Sequence, residues 1–143
     1  MSTNQVIPDF TESHLVGVRV DESNQTINID IILTSGTGYS LRLQEVERFD
    51  LSEMSTTNII ESISIWTNRN QRSEYLETLR CLVGNETIEK DSTVFDVPIE
   101  RVVQKIERGE RVMIEISAVY GAQVIALAGS VSICEMTVSN LQC

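Results

Sequence analysis

The stretch Ile27-Asn28-Ile29-Asp30-Ile31-Ile32-Leu33 decides the fold class. Ile27, Ile29, Ile31 and Leu33 alternate with Asn28 and Asp30, and a period of two places apolar side chains on one face of a β-strand. Upstream, Val16, Val18 and Val20 alternate with Gly17 and Arg19, which predicts a second strand with a buried valine face. Asp21 to Gln25 separates the two as a turn cluster. Downstream, Thr34-Ser35-Gly36-Thr37-Gly38 breaks the pattern, and Tyr39, Leu41 and Leu43 restart it. Three strands joined by short turns predict an antiparallel meander with one apolar and one wet face.

Outward from the meander, the pattern changes twice. Residues 1–13 are polar around Pro8 and read as a loose N-terminal arm. Residues 45–57 lose the alternation, with Val46, Phe49, Leu51 and Met54 pinning a loop or one short amphipathic turn. Ile59 to Trp66 is isoleucine-rich and favours a strand, although Ile59, Ile63 and Trp66 also fit helical spacing. A helix follows with Ser73 as N-cap and Tyr75, Leu76, Leu79, Leu82 and Val83 on one face, ended by Gly84. A second helix is expected from about Pro98, with Ile99, Val102, Val103 and Ile106 as its stripe and Gly109 as its stop. Asn85 to Asp96 reads as the loop between them. Val112, Ile114, Ile116, Ala118 and Tyr120 then alternate as a strand, and Tyr120-Gly121-Ala122 marks a turn or bulge. Ala122 to Val138 is apolar on both sides for much of its length, with a bend at Gly129. The whole predicts a single α+β domain: a curved antiparallel sheet or open barrel of about six or seven strands with two helices, the alternative being a β-sandwich with peripheral helices.

Composition narrows the function. The chain has 143 residues, 41% hydrophobic and 22% charged, which is enough for a core without metals or disulfides. Eleven Lys and Arg against 21 Asp and Glu give a formal charge of -10, which disfavours nucleic acid and anionic membrane as partners. Aromatic residues at 5% are too few for base-stacking platforms. The N-terminus shows no secretory signal and no stretch is long enough to span a bilayer, so a cytoplasmic protein is expected. Cys81, Cys134 and Cys143 are an odd number without metal-ligand spacing, so reduced thiols are expected, with Cys81 buried among Leu79, Leu82 and Val83.

The chemistry that is missing is as informative. His14 is the only histidine, so triads and zinc sites lack their usual ligands. The glycines of Thr34 to Ser40 lie between alternating strands without a lysine or a following helix, which makes a hairpin loop rather than a phosphate loop. No cofactor motif is present. The carboxylates Glu45, Glu47, Asp50 and Glu53 cluster where alternation fails, and loops of that kind carry function. They are the candidate partner-binding residues.

Val46-Glu47-Arg48-Phe49-Asp50-Leu51, Asn58-Ile59-Ile60 and Tyr120-Gly121-Ala122-Gln123-Val124-Ile125-Ala126-Leu127 before Val131-Ser132-Ile133 are similar to segments of small uncharacterised bacterial proteins, some of which resemble immunity proteins of toxin systems. That resemblance implies a bacterial, cytoplasmic, non-enzymatic protein and assigns no catalytic residue. The expectation is a protein-binding module, an acidic neutraliser of a basic partner. Two alternatives stand beside it. One is a small-molecule-binding or carboxylate-dependent hydrolytic domain using the mouth of the curved sheet. The other is a structural homo-oligomer formed through an exposed sheet edge.

Overall fold

A computed structural model describes residues 8–83, 92–136 and 141–142, with side chains described for 8–83 and 99–136. Nine strands and two helices follow in the order β1 (His14–Asp21), β2 (Thr26–Ile32), β3 (Gly38–Gln44), β4 (Arg48–Ser52), β5 (Ile59–Trp66), α1 (Arg72–Val83), α2 (Ser92–Glu107), β6 (Val112–Tyr120), β7 (Gln123–Ala128), β8 (Ser130–Met136) and β9 (Leu141–Gln142). All strands belong to one open sheet, ordered β4-β7-β6-β5-β1-β2-β3-β8-β9. Every neighbouring pair is antiparallel. The architecture is therefore the α+β curved sheet that the sequence predicts, with more strands than expected.

The curvature follows from connectivity. β7 lies second from one edge of the sheet and β8 second from the other, yet only Gly129 separates them in the chain. The sheet must curl until its two ends meet at that residue. Backbone hydrogen bonds stitch the meeting point: Gly129 N–H donates to the carbonyls of Gln44 (2.8 Å) and Glu45 (3.1 Å), and Glu47 N–H donates to Leu127 O (2.8 Å). The crossing is tight enough to demand glycine, because a Cβ at position 129 would lie 2.9 Å from the Cβ of Glu45.

Curling gives the sheet an inside and an outside. Ile27, Ile29, Ile31, Leu41, Leu43, Ile60, Ile114, Ile116, Val124, Ala126 and Ala128 point inward and form the main core. On the outer face of β6 and β7, Met113 and Leu127 pack under α1 and α2 against Tyr75, Leu79, Leu82, Val83, Ile99, Val102, Val103 and Ile106. β7 is therefore covered on both faces, which explains its continuous apolar run. Ile29, Leu41, Leu79, Val103 and Ile114 are all fully buried, as their positions on apolar faces predict.

Several local expectations are corrected. Phe10 is 4% exposed and meets the Tyr39 ring edge-to-face at 5.8 Å, so the chain from Phe10 plugs the core rather than forming a loose arm. β4 occupies part of the segment expected to be a loop, because Phe49 and Leu51 alternate inward for just five residues. Ile59–Trp66 and Gln123–Ala128 are strands. Ser73 lies inside α1 instead of capping it. The Glu74 carboxylate accepts the Gln71 N–H at 2.7 Å, half of a capping box one turn earlier. α2 begins at Ser92, before Pro98, and this shortens the expected loop from its C-terminal side. Gly84 lies outside the described residues.

The cysteines also differ from expectation. Cys81 is exposed, because helical periodicity turns it away from Leu79 and Leu82. Cys134 is disulfide-bonded, where reduced thiols were expected. Cys143 lies outside the described residues.

Candidate functional site

The structure spreads the four candidate carboxylates from before β4 to after it, with Asp50 alone on the strand, and does not converge them. Glu45 follows β3 in the left-handed region (φ 52°), exposed and packed against Gly129. Asp50 is exposed on β4, opposite Ile125. Glu53 follows β4, also left-handed (φ 60°), and lines a surface groove of 320 Å³ with Ser55, Val119, Tyr120 and Gln123. Between Glu45 and Glu53 runs all of β4, roughly 16 Å of strand at about 3.3 Å per residue.

Glu47 is committed to the fold. Its Oε1 accepts hydrogen bonds from Arg111 Nε at 2.9 Å and Lys105 Nζ at 3.4 Å, tying the start of β4 to the α2–β6 junction. Burial acts to raise the Glu47 pKa. The Arg111 hydrogen bond and the Lys105 charge together outweigh it, and hold the carboxyl below its ordinary value. Its two cations leave it no free charge with which to attract a partner. Among the described residues no three His, Cys, Asp or Glu gather as metal ligands. The inside of the curved sheet along these strands is filled by isoleucine, leucine, valine and alanine.

A surface that sequence reasoning missed lies at one end of the sheet. Strand register aligns Ile32 with His14, His14 with Ile59, and Ile59 with Tyr120. Paired antiparallel residues share a face, so these four side chains form a row on the outside of β2, β1, β5 and β6. Tyr120 is 59% exposed and Ile32 41%. Val119 and Val16 are exposed beside them. A β-bulge between Leu15 and Gly17 turns Val16 outward, and Val20 is exposed at the far end of β1, so of the buried valine face expected for this strand only Val18, opposite Ile29, packs against the main core. Exposed Glu12, Glu53 and Glu61 stand next to the row in chain or groove.

Asn58 holds this surface in place. It is 3% exposed, and its side chain makes four hydrogen bonds. Oδ1 accepts from the N–H groups of Ser55 and Ala122, both at 2.9 Å. Nδ2 donates to Ser55 O at 2.9 Å and Leu15 O at 3.3 Å. One amide thus binds the loop after β4, the start of β1 and the β6–β7 turn. At that turn Gly121 takes φ 88°, and a Cβ there would come within 2.7 Å of Thr57 O. The tight approach sets Tyr120 out on the rim.

Among the described residues no helix is long and apolar enough to cross a membrane. No family model matches the chain, and neither a curated protein nor a solved structure matches it.

Proposed function

We propose that the chain is a non-enzymatic protein-binding module that takes a basic partner, in the manner of an acidic immunity-type protein. The observation that carries this is the outer row of Ile32, His14, Ile59 and Tyr120, flanked by exposed Val16, Val119 and carboxylates, on a chain of formal charge -10. An exposed tyrosine packed beside apolar neighbours is a common anchor of protein interfaces. Surrounding carboxylates steer a cationic protein toward it and repel acidic competitors. Asp50, Glu53 and Glu45 keep the steering role expected for the acidic segment, and Glu47 does not share it. A filled sheet interior and scattered carboxylates favour binding over hydrolysis.

The experiment uses a basic protein recovered with the chain from its native cell and compares variants by binding kinetics. Replacing Glu45, Asp50 and Glu53 with Gln, Asn and Gln should slow association roughly tenfold at low salt, with the difference fading above about 0.15 M. Tyr120→Ala should speed dissociation by about thirtyfold, the range of an interface anchor. If both sets of variants bind like the parent protein, neither this surface nor these charges form the interface.

A further inference from the structure

β2 carries a second feature at its other end. Asn28 and Arg42 are register partners on the outer face of β2 and β3, and with Asp21, Asn24, Thr26, Gln44 and Glu45 they line a cleft of 470 Å³. Arg42 is half-buried and makes no ion pair among the described residues, although the protein carries a large excess of carboxylates. Its one hydrogen bond runs from Nε to Asn28 Oδ1 at 3.2 Å. Asn28 is 9% exposed, so the partner that orients the guanidinium is itself fixed by burial. Holding Nε leaves the two Nη groups, which form the end-on fork that fits a carboxylate.

The other groups of the cleft decide what kind of carboxylate fits. The Glu45 carboxylate makes no hydrogen bond among the described residues. Asp21 accepts from Asn24 at both oxygens within its turn, Oδ2 from Nδ2 at 2.8 Å and Oδ1 from the backbone N–H at 3.4 Å, but no cation offsets its charge there among the described residues. One guanidinium and two carboxylates leave the cleft with an excess of negative charge, which opposes a simple anion. A ligand with a carboxylate at one end and an ammonium at the other satisfies both halves. The geometry points to a binding site for a small zwitterion of the amino-acid class, its carboxylate end-on at Arg42 and its ammonium toward Glu45 and Asp21. This site lies at the opposite end of the strand from the apolar row at Ile32; Glu45 is common to both readings, so Arg42→Gln and Tyr120→Ala, each confined to one, tell their failures apart.

The test is an amide NMR titration of the full chain with glycine, β-alanine and 4-aminobutyrate, which separate the two charges by increasing lengths. Acetate and methylammonium serve as single-charge controls. At least one zwitterion should give saturable shifts at Asn28, Arg42, Gln44 and Glu45 with a Kd of about 1 mM or tighter. Acetate should bind about fivefold more weakly, roughly one ion-pair contribution at a partly exposed site. Arg42→Gln should abolish the shifts, and Glu45→Gln should weaken the zwitterion while strengthening acetate; a thermal melt confirms that each variant is folded. The proposal is overturned if no zwitterion shifts these amides, if acetate binds as tightly, or if folded Arg42→Gln binds unchanged.

Discussion

Asn58→Ala is expected to be the most damaging polar substitution in the protein. The side chain satisfies four backbone groups at once. Two of them sit at residues that are 1% exposed, the Ala122 N–H and the Leu15 C=O, and water cannot replace the lost amide there without opening the structure. Each buried backbone group left unpaired costs about 1–3 kcal/mol. The two groups at Ser55 are near solvent and contribute little. The expected loss is therefore about 3–5 kcal/mol, a large share of the stability of a domain this size. In a thermal melt that is a fall of roughly 10–15 °C, at about 3 °C per kcal/mol. Asn58→Asp separates the two halves of the clamp. A carboxylate still accepts from Ser55 and Ala122 but faces the carbonyls of Ser55 and Leu15 with no donor, so that variant should regain stability on mild acidification, when protonation restores one donor. Urea melts at neutral pH and near pH 5 measure both effects. A loss below about 1 kcal/mol for Asn58→Ala would refute the idea that this residue carries the junction.

Leu79→Ala should cost about 2–5 kcal/mol by urea melt, since Leu79 is fully buried beneath the helices. Tyr75→Phe should instead be neutral or stabilising by up to about 1 kcal/mol, because the buried Tyr75 hydroxyl has no hydrogen-bond partner among the described residues. Glu47 has its pKa lowered in the folded chain, so its contribution is complete above the ordinary glutamate range near pH 4.3 and is lost as pH falls through the folded value. Glu47→Gln should therefore lose about 0.5–1 kcal/mol at pH 7, allowing for partial solvent screening, and should flatten the acid limb of a stability-versus-pH curve. Thiol titration of the denatured, unreduced chain with peptide mapping should find Cys81 free and Cys134 bonded. A free Cys134 would refute that bond and restore the reduced thiols expected from the sequence.

The meander was legible because β2 and β3 alternate without interruption, and alternation is a local property of the chain. The helix faces were legible for the same reason, since Tyr75, Leu79, Leu82 and Val83 repeat within one element. What escaped was non-local or hidden by a one-residue slip. A bulge at Val16 leaves composition untouched yet moves a side chain to the other face of the sheet. β4 presents just two inward residues, too few to stand out from a loop. The outer row needs the register of residues 14, 32, 59 and 120, which no window of sequence contains. The acidic segment was visible as charge, but Lys105 and Arg111 reach Glu47 from more than fifty residues away and remove it from the set.

The position of the helices then determines where a functional surface can be. α1 and α2 cover the outside of β6 and β7, and this consumes Met113, Leu127 and part of Ile125 in a second core. Past Gly129 the same chain continues as β8 with no described helix above it. Its inward residues, Val131 and Ile133, still pack against the main core, while its outward ones turn to Ser130 and Ser132. The outer face of β1, β2, β3 and β8 accordingly reads as polar rows, with Arg19, Asn28, Arg42 and Ser132 aligned across four strands. Among the described residues, Arg19 is matched within that face by Asp30, at 2.9 Å, and Arg42 is not matched by a carboxylate. On the half of the sheet that no described helix covers, Ser40 and Cys134 are fully buried on the outer face, whereas a guanidinium with no described carboxylate partner and an apolar row stay in reach of water. Each lacks a partner of a different chemistry, which is why one surface is read as a protein contact and the other as a small-ligand site.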